Sequence, residues 1–473
     1  MKARISTLII LLVATLSLAA QDDANASRWL HLFRKVGSKT RVLSVEESDL
    51  KQVLHRGNTA TGEIFNVLVT DQAGNVNVYD MNDVTKAKIG VEVPTIYITT
   101  DDASLTEVKS KTDYVSATVS LKGYSRYPDL SETKMQIRGR GNSTWSYAKK
   151  PYRMKFEKKL SICGMKKAKN YVFIANYIDN TLLRNPFALK AAQLLGMPYT
   201  NTAIPVEIYF NGIYKGAYMM TEKVGINGAS VDIDENEGIM FELDTYYDED
   251  PKFRSQVFNL PVMVKDPDFS ELAAEAGATM TAAEMLAKWQ ADFQDFENTL
   301  GSGSVRDFAD YIDIESLVDY FIVYNLARNM EPYHPKSVYM YKEKQGEKYK
   351  MGPVWDFDWA YTYNGGGGTV PPTGLLFSNS GIGTNFFKAM LSDARVLALF
   401  GQKWKAFKEE KLPLLWQYFD EYADLIESSA ARDGEKWENT DSTNTFPENV
   451  EALRTWLQKR IAFIDSHKNY GLF

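Results

Sequence analysis

The sequence predicts an α+β protein in three successive textures. Short segments rich in β-branched and aromatic residues, separated by Gly, Asn and Asp turns, run to about residue 265. Apolar residues at helical spacing dominate after about residue 270. No internal repeat links the parts, so the order is a small β-rich module, a mixed region and a helical region. With 473 residues, 44% hydrophobic and 24% charged, the chain can bury a large core and is not a disordered one.

The first element is a leader. Lys2 and Arg4 precede an apolar run from Ile5 to Leu18, and the small residues Ala19 and Ala20 follow. This is the order of a secretory signal peptide, expected over residues 1–20. The run is shorter than the ~20 residues of a spanning helix, and no other segment is long enough. The expectation is a protein secreted to the periplasm or cell surface, with no integral membrane segment. The single cysteine, Cys163, excludes a disulfide framework within the chain. Neither C-x-x-C nor H-E-x-x-H occurs among Cys163 and the four histidines, which argues against a zinc site. A net charge of −7 argues against a nucleic-acid partner.

Residues 21–92 read as the β-rich module, with strands at Arg28–Arg34, Ile64–Val69 and, at its edge, Val91–Ile98. Strands continue at Tyr114–Leu121 and Lys134–Ile137. Pro205–Tyr209 and Lys215–Met220 flank Asn211-Gly212, a strong hairpin signal. A helix over Thr181–Leu195 is closed by Gly196 and Pro198. Ile314, Leu317, Val318, Phe321 and Tyr324 share a helix face, as do Val450, Leu453, Leu457, Ile461 and Ile464. Between them, Ser337–Lys342 and Tyr349–Val354 predict a hairpin, and residues 364–374 a flexible glycine-rich loop.

Charge is unevenly distributed. Thr133–Lys169 holds twelve Lys/Arg and one acid, whereas Val231–Asp250 holds nine Asp/Glu and no Lys or Arg. Solvated faces explain both. Two walls of one cleft, with cations on phosphates and acids on a metal, explain them as well.

Three stretches could carry chemistry. Arg138-Gly-Arg-Gly-Asn-Ser-Thr-Trp145 combines glycines that let the backbone approach a ligand with donors for phosphate oxygens. A polar turn is the plainer reading. In the strand after Pro151, Tyr152, Met154 and Phe156 should face one side, and Arg153 and Lys155 the other. In Gly352-Pro-Val-Trp-Asp-Phe-Asp-Trp359, strand alternation should put Asp356 and Asp358 opposite three large aromatics. Carboxylates so deep in an apolar run need a metal or a cation. Asn329 and Glu331, at the end of the 313–329 helix, should reach the same place if the following hairpin forms.

Taken in order, these stretches resemble the CotH family of spore-coat protein kinases over about residues 93–466. The resemblance rests on Arg138–Trp145, Lys150-Pro-Tyr-Arg-Met-Lys155, Leu183-Arg-Asn185, Val206–Gly212, Gly216–Glu222, Glu242-Leu-Asp244, Pro353–Asp358 and Arg460. It implies an atypical protein-kinase-like two-lobed domain over residues 93–470, mixed α+β to about 265 and mainly helical after. It implies ATP with Mg²⁺ or Mn²⁺ and transfer of the γ-phosphoryl group to Ser/Thr of a protein substrate. Asp356, Asp358 and Glu331 would be catalytic, and Asp356, Asp358 and Asn329 would hold the metal. Arg138, Arg140, Asn142, Ser143, Lys150, Arg153, Lys155 and Glu222 would contact ATP or its phosphates. One departure stands out: the family's Asn-x-Asp and later Asn are here Asn329-Met-Glu331 and Ser337. The alternatives are a non-catalytic secreted protein that keeps the fold to bind a surface, glycan or protein, and carbohydrate hydrolysis by a carboxylate pair.

Overall fold

The computed structural model describes residues 27–37, 39–58, 63–80, 83–362, 370–437 and 444–473. The expected leader, and the start of the glycine-rich loop at 363–369, lie outside the described residues.

The chain is mixed α+β. Strands β1 (Trp29–Val36), β2 (Lys39–Glu46) and β6 (Val84–Gly90) form one three-stranded sheet. A second is made by β3 (Leu50–Asn58), β4 (Glu63–Asp71) and β5 (Val76–Asp80).

Seven strands then close into a barrel, which periodicity alone does not foretell. In chain order they are β7 (Thr95–Thr100), β8 (Val115–Lys122), β9 (Leu130–Gly139), β10 (Tyr152–Leu160), β11 (Ala168–Ile174), β12 (Ile204–Phe210) and β13 (Ile213–Glu222). Around the barrel the order is β10-β11-β13-β12-β7-β8-β9, and β9 pairs back to β10. Closure depends on a parallel pairing of β12 with β7, Ile208 opposite Ile96. Alternation holds as expected: Tyr152, Met154 and Phe156 are buried inside, while Arg153 and Lys155 point outward. Asn211 and Gly212 take left-handed φ of 48° and 77° and join β12 to β13, as a tight hairpin requires.

Helix α1 (Arg184–Leu194) lies between β11 and β12 in the chain. It starts where Asp179 accepts the Arg184 N–H at 2.9 Å and stops at Gly196, φ 79°. A five-stranded sheet follows, ordered β15 (Lys252–Arg254), β16 (Pro261–Asp266), β14 (Ile239–Leu243), β17 (Val338–Lys342) and β18 (Lys350–Met351). The predicted hairpin is the β17–β18 pair, Met340 opposite Met351.

The helical part comprises α2 (Phe269–Ala274), α3 (Ala282–Thr299), α4 (Ile314–Ala327), α5 (Ile382–Leu391), α6 (Ala394–Ala406), α7 (Leu412–Lys436) and α8 (Phe446–Ser466). Helix α4 is apolar on nearly every face, and every residue from Leu317 to Ala327 is buried, so it forms the axis of the main core. Asp313 caps its N-terminus through the Ser316 N–H at 2.8 Å, and Arg328, φ 46°, ends it.

Helix α7 clamps the parts together. Its Arg432 bridges Glu92 at 2.5 Å and Glu207 at 2.7 Å, and its Asp433 meets the fully buried Lys149 at 2.7 Å. The first sheet docks on the same helix through Lys86–Glu427 at 2.6 Å and Lys88–Asp424 at 2.5 Å.

Candidate functional site

A cleft lies between the mouth of the barrel and the five-stranded sheet, with about 1290 Å³ between its lining atoms, open solvent included. One wall is the turn Arg140-Gly-Asn-Ser-Thr144 that joins β9 to β10. Gly141 has φ 81°, and a Cβ there would sit 2.2 Å from Thr144 Oγ1, so this turn needs its glycine. The facing wall carries Glu331, Asp356 and Asp358, with Glu242 and Asp244 alongside. Of the twelve cations in the basic stretch only Arg140 lines this cleft, together with Glu242, Asp244 and Glu249 of the acidic stretch.

The segment bearing Asp356 and Asp358 is a loop and not the expected strand. Asp356 takes a left-handed φ of 61°, which breaks strand alternation. Side chains satisfy the backbone groups that a neighbouring strand would otherwise pair. Asn329 Nδ2 donates to the Asp356 carbonyl at 2.9 Å, Tyr324 Oη to the Trp355 carbonyl at 3.1 Å, and Arg184 to the Asp358 carbonyl at 2.8 Å. The Phe357 N–H donates to Asn185 Oδ1 at 2.9 Å. The aromatics part company: Phe357 packs against Tyr324 in the core, while Trp355 and Trp359 line the cleft beside the two acids.

Among the described residues no Lys or Arg forms an ion pair with Glu331, Asp356 or Asp358, and His334 Nε2 stands 3.6 Å from Glu331 Oε2. Asp358 is buried and accepts from Asn185 Nδ2 at 2.5 Å; burial first, then the charges of Asp356 and Asp179, push its carboxyl up to about 7. Burial also raises Asp356, with Arg140 opposing. Glu331 is 9% exposed, and its Oε2 has no hydrogen-bond partner. Burial and then Asp356 push it up to about 8, against Lys336. Asp244, whose oxygens accept from the Tyr246 and Ser337 N–H groups, rises to about 6 through burial. Glu242 is the paired exception, held by Lys265 at 2.7 Å and the Tyr339 hydroxyl at 3.0 Å.

Among the described residues no group of three or more His, Cys, Asp or Glu side chains is arranged to hold a metal ion. Asp356 and Asp358 offer two carboxylates to a shared space, and an ion such as Mg²⁺ completes its shell with water and phosphate. With two protein carboxylates, an ion held there would take most of its shell from water and phosphate; Glu331 Oε2 lines the same cleft without a hydrogen-bond partner.

The expected site residues separate into three groups. Asp356, Asp358, Glu331, Arg140, Asn142 and Ser143 line the cleft. Arg138 and Arg153 line an adjoining basic chamber that shares Arg140 and Asn142 with the cleft. The others do not line either space. Lys150 donates to the Trp145 carbonyl at 2.8 Å. Lys155 stands exposed on the outer barrel face. Glu222 is consumed by the Thr202 N–H and hydroxyl at 2.8 and 2.7 Å. Asn329 is fully buried between the Asp356 carbonyl and the Glu331 N–H, so it positions the two acids and does not face the ligand space. Asn185, the second residue of α1, lies in the resembling Leu183-Arg-Asn185 stretch, which assigns it no role; it holds Asp358 and the Phe357 N–H.

Together these features define a mixed α+β protein whose barrel faces an acidic cleft across a glycine-bearing polar turn. The chain belongs to the CotH family: the family model described as CotH kinase protein matches residues 137–464, a span that contains both walls of the cleft. No curated protein matches the chain. Among the described residues no helix is long and apolar enough to cross a membrane.

Proposed function

We propose that this is an exported, atypical kinase-like enzyme with a two-lobed domain, transferring the γ-phosphoryl group of ATP to Ser/Thr of a protein substrate. The observation that carries the reading is the convergence of Glu331, Asp356 and Asp358 opposite the Arg140–Thr144 turn in one cleft.

In this reading Arg140 and the donors of Asn142 and Ser143 hold the phosphates. Asp356 and Asp358 hold Mg²⁺ or Mn²⁺, which supplies charge neutralisation on the phosphate oxygens. Asn185 and Asn329 fix the acid-bearing loop by holding its backbone. Glu331 Oε2 accepts the acceptor hydroxyl's proton as oxygen bonds to the γ-phosphorus and the bond to ADP breaks. With its carboxyl raised to about 8, Glu331 is mostly protonated near pH 7, so in this reading proton acceptance belongs to the ionised fraction, which grows as pH rises through about 8.

The test is Mg²⁺-dependent thermal stabilisation by ATP, followed by labelling from γ-labelled ATP. A ligand at ~100 times its Kd adds roughly 2.7 kcal/mol, which a melting curve resolves. Absence of both effects would leave the fold as a binding scaffold.

A further inference from the structure

The chamber beside the cleft has a different character. Six cations line it (Lys111, Arg138, Arg140, Arg153, Lys223 and Lys265) against two carboxylates, Asp248 and Glu249. Lys265 spends its charge on Glu242 and Glu249. Among the described residues, Lys111, Arg138, Arg153 and Lys223 make no ion pair. Arg138 Nε is buried without a partner, although Nη1 donates to the Lys111 carbonyl. Arg153 donates to Asn170 Oδ1 at 2.9 Å, a neutral acceptor. The acid acting most strongly on Lys223 is Asp266, whose Oδ2 accepts the Ile226 N–H at 3.0 Å. Half-buried cations that outnumber the carboxylates beside them repel one another and favour an anionic ligand.

The chamber also opens onto a track. Arg138, Arg153 and Lys155 gather around the Tyr114 ring, at 5.1, 6.0 and 5.6 Å from its centroid. Beyond Lys155 the exposed residues of the strand are Glu157, Lys158 and Lys159, and by alternation the outer face runs Arg153, Lys155, Glu157, Lys159. From Arg153 to Lys159 an extended strand covers roughly 20 Å. A nucleotide's charge sits on a few adjacent phosphates, whereas cations spread along a strand face, interrupted once by Glu157, fit a charged chain in extended form.

We infer that the chamber and the outer face of β10 dock an acidic acceptor polypeptide, whose carboxylates flank the Ser/Thr presented to the cleft. The inference rests on the kinase reading for its orientation, but docking can be measured without turnover. The probe is a fluorescent Glu-rich peptide with one central Ser, compared with Gly/Ala-rich and Lys-rich versions, titrated by anisotropy against the full chain. The Glu-rich peptide should bind at least tenfold tighter than the neutral one, and the preference should fall with added salt. Lys223→Glu with Lys111→Glu should weaken it at least tenfold and leave the Mg²⁺·ATP thermal shift unchanged. Lys111 lies on a loop, so Lys111→Glu alone decides the matter if the double variant fails to fold. Equal affinity for acidic and neutral peptides would overturn the inference. So would variants that lose the ATP shift but keep the peptide, since the chamber would then belong to the nucleotide. An acidic peptide that binds as expected but never accepts phosphate would sink the kinase reading and leave the docking surface standing.

Discussion

Two sets of buried charges in this protein have opposite character. At the α7 seam every charge has a partner: Arg432 with Glu92 and Glu207, Lys149 with Asp433. In the cleft the acids outnumber their cations, and Glu331, Asp356 and Asp358 are all raised above the usual carboxylate range. Breaking a buried pair strands the surviving charge and costs stability. Neutralising an under-compensated acid removes a repulsion. Paired charges thus mark where the fold is held, and unpaired ones where it is held ready for something else.

The sharpest way to break this contrast is to remove one charge from each set. Asp358→Asn keeps the Oδ1 that accepts from Asn185, so the fold should survive with equal or greater stability. Phosphoryl transfer should fall by at least about 10²-fold. Labelling assays and melting curves on one preparation read both effects; a variant that unfolds would place Asp358 with the seam. Asp433→Ala should do the reverse, costing about 3–5 kcal/mol in denaturant titrations because Lys149 is left buried and alone. A loss under 1 kcal/mol would erase the distinction.

Smaller effects sharpen it through pH. Glu331 has a folded pKa of about 8 against an ordinary 4.5. The folded state therefore holds this proton more tightly, and wild type loses stability as pH rises from about 4.5 to about 8. Glu331→Gln should gain on wild type across that window by a few kcal/mol, with no further gain above it. Chemical unfolding at pH 5 and pH 9 checks the sign. The opposite slope belongs to His31, 1% exposed under the seam, which burial and then Arg432 lower to about 4. Its contribution is complete above pH 6.5 and is lost as pH falls towards 4, on the order of 1–3 kcal/mol. His31→Gln should flatten that part of the acid limb; an unchanged limb would mean that another group governs it.

Much of this was legible in the sequence because it is local. Alternation along Tyr152–Phe156, the apolar run of α4 and the Asn211-Gly212 turn each follow from neighbours in the chain. The acid pair was legible because carboxylates rarely sit in an apolar run. Its conformation was not, since the loop is shaped by Asn185, Asn329 and Tyr324, which come from other elements. The same limit hid the roles of two adjacent lysines. Lys149 and Lys150 precede the strand, where alternation has no purchase, and the distant Asp433 decides which one is buried. Glu222 carries no local mark that Thr202 will occupy it.

Barrel closure has a consequence for the order of events during synthesis. The parallel contact of Ile96 with Ile208 joins positions about 110 residues apart. A chain emerging N-terminus first holds β7 to β11 as an unclosed sheet until β12 arrives, and Arg432 and Asp433 reach the barrel later still. During that interval the edges of β7 and β11 are unpaired and open to other chains. Folding of such a non-local topology is slow. The finished ring leaves no such edge, so the hazard belongs to the nascent chain and ends when the barrel closes.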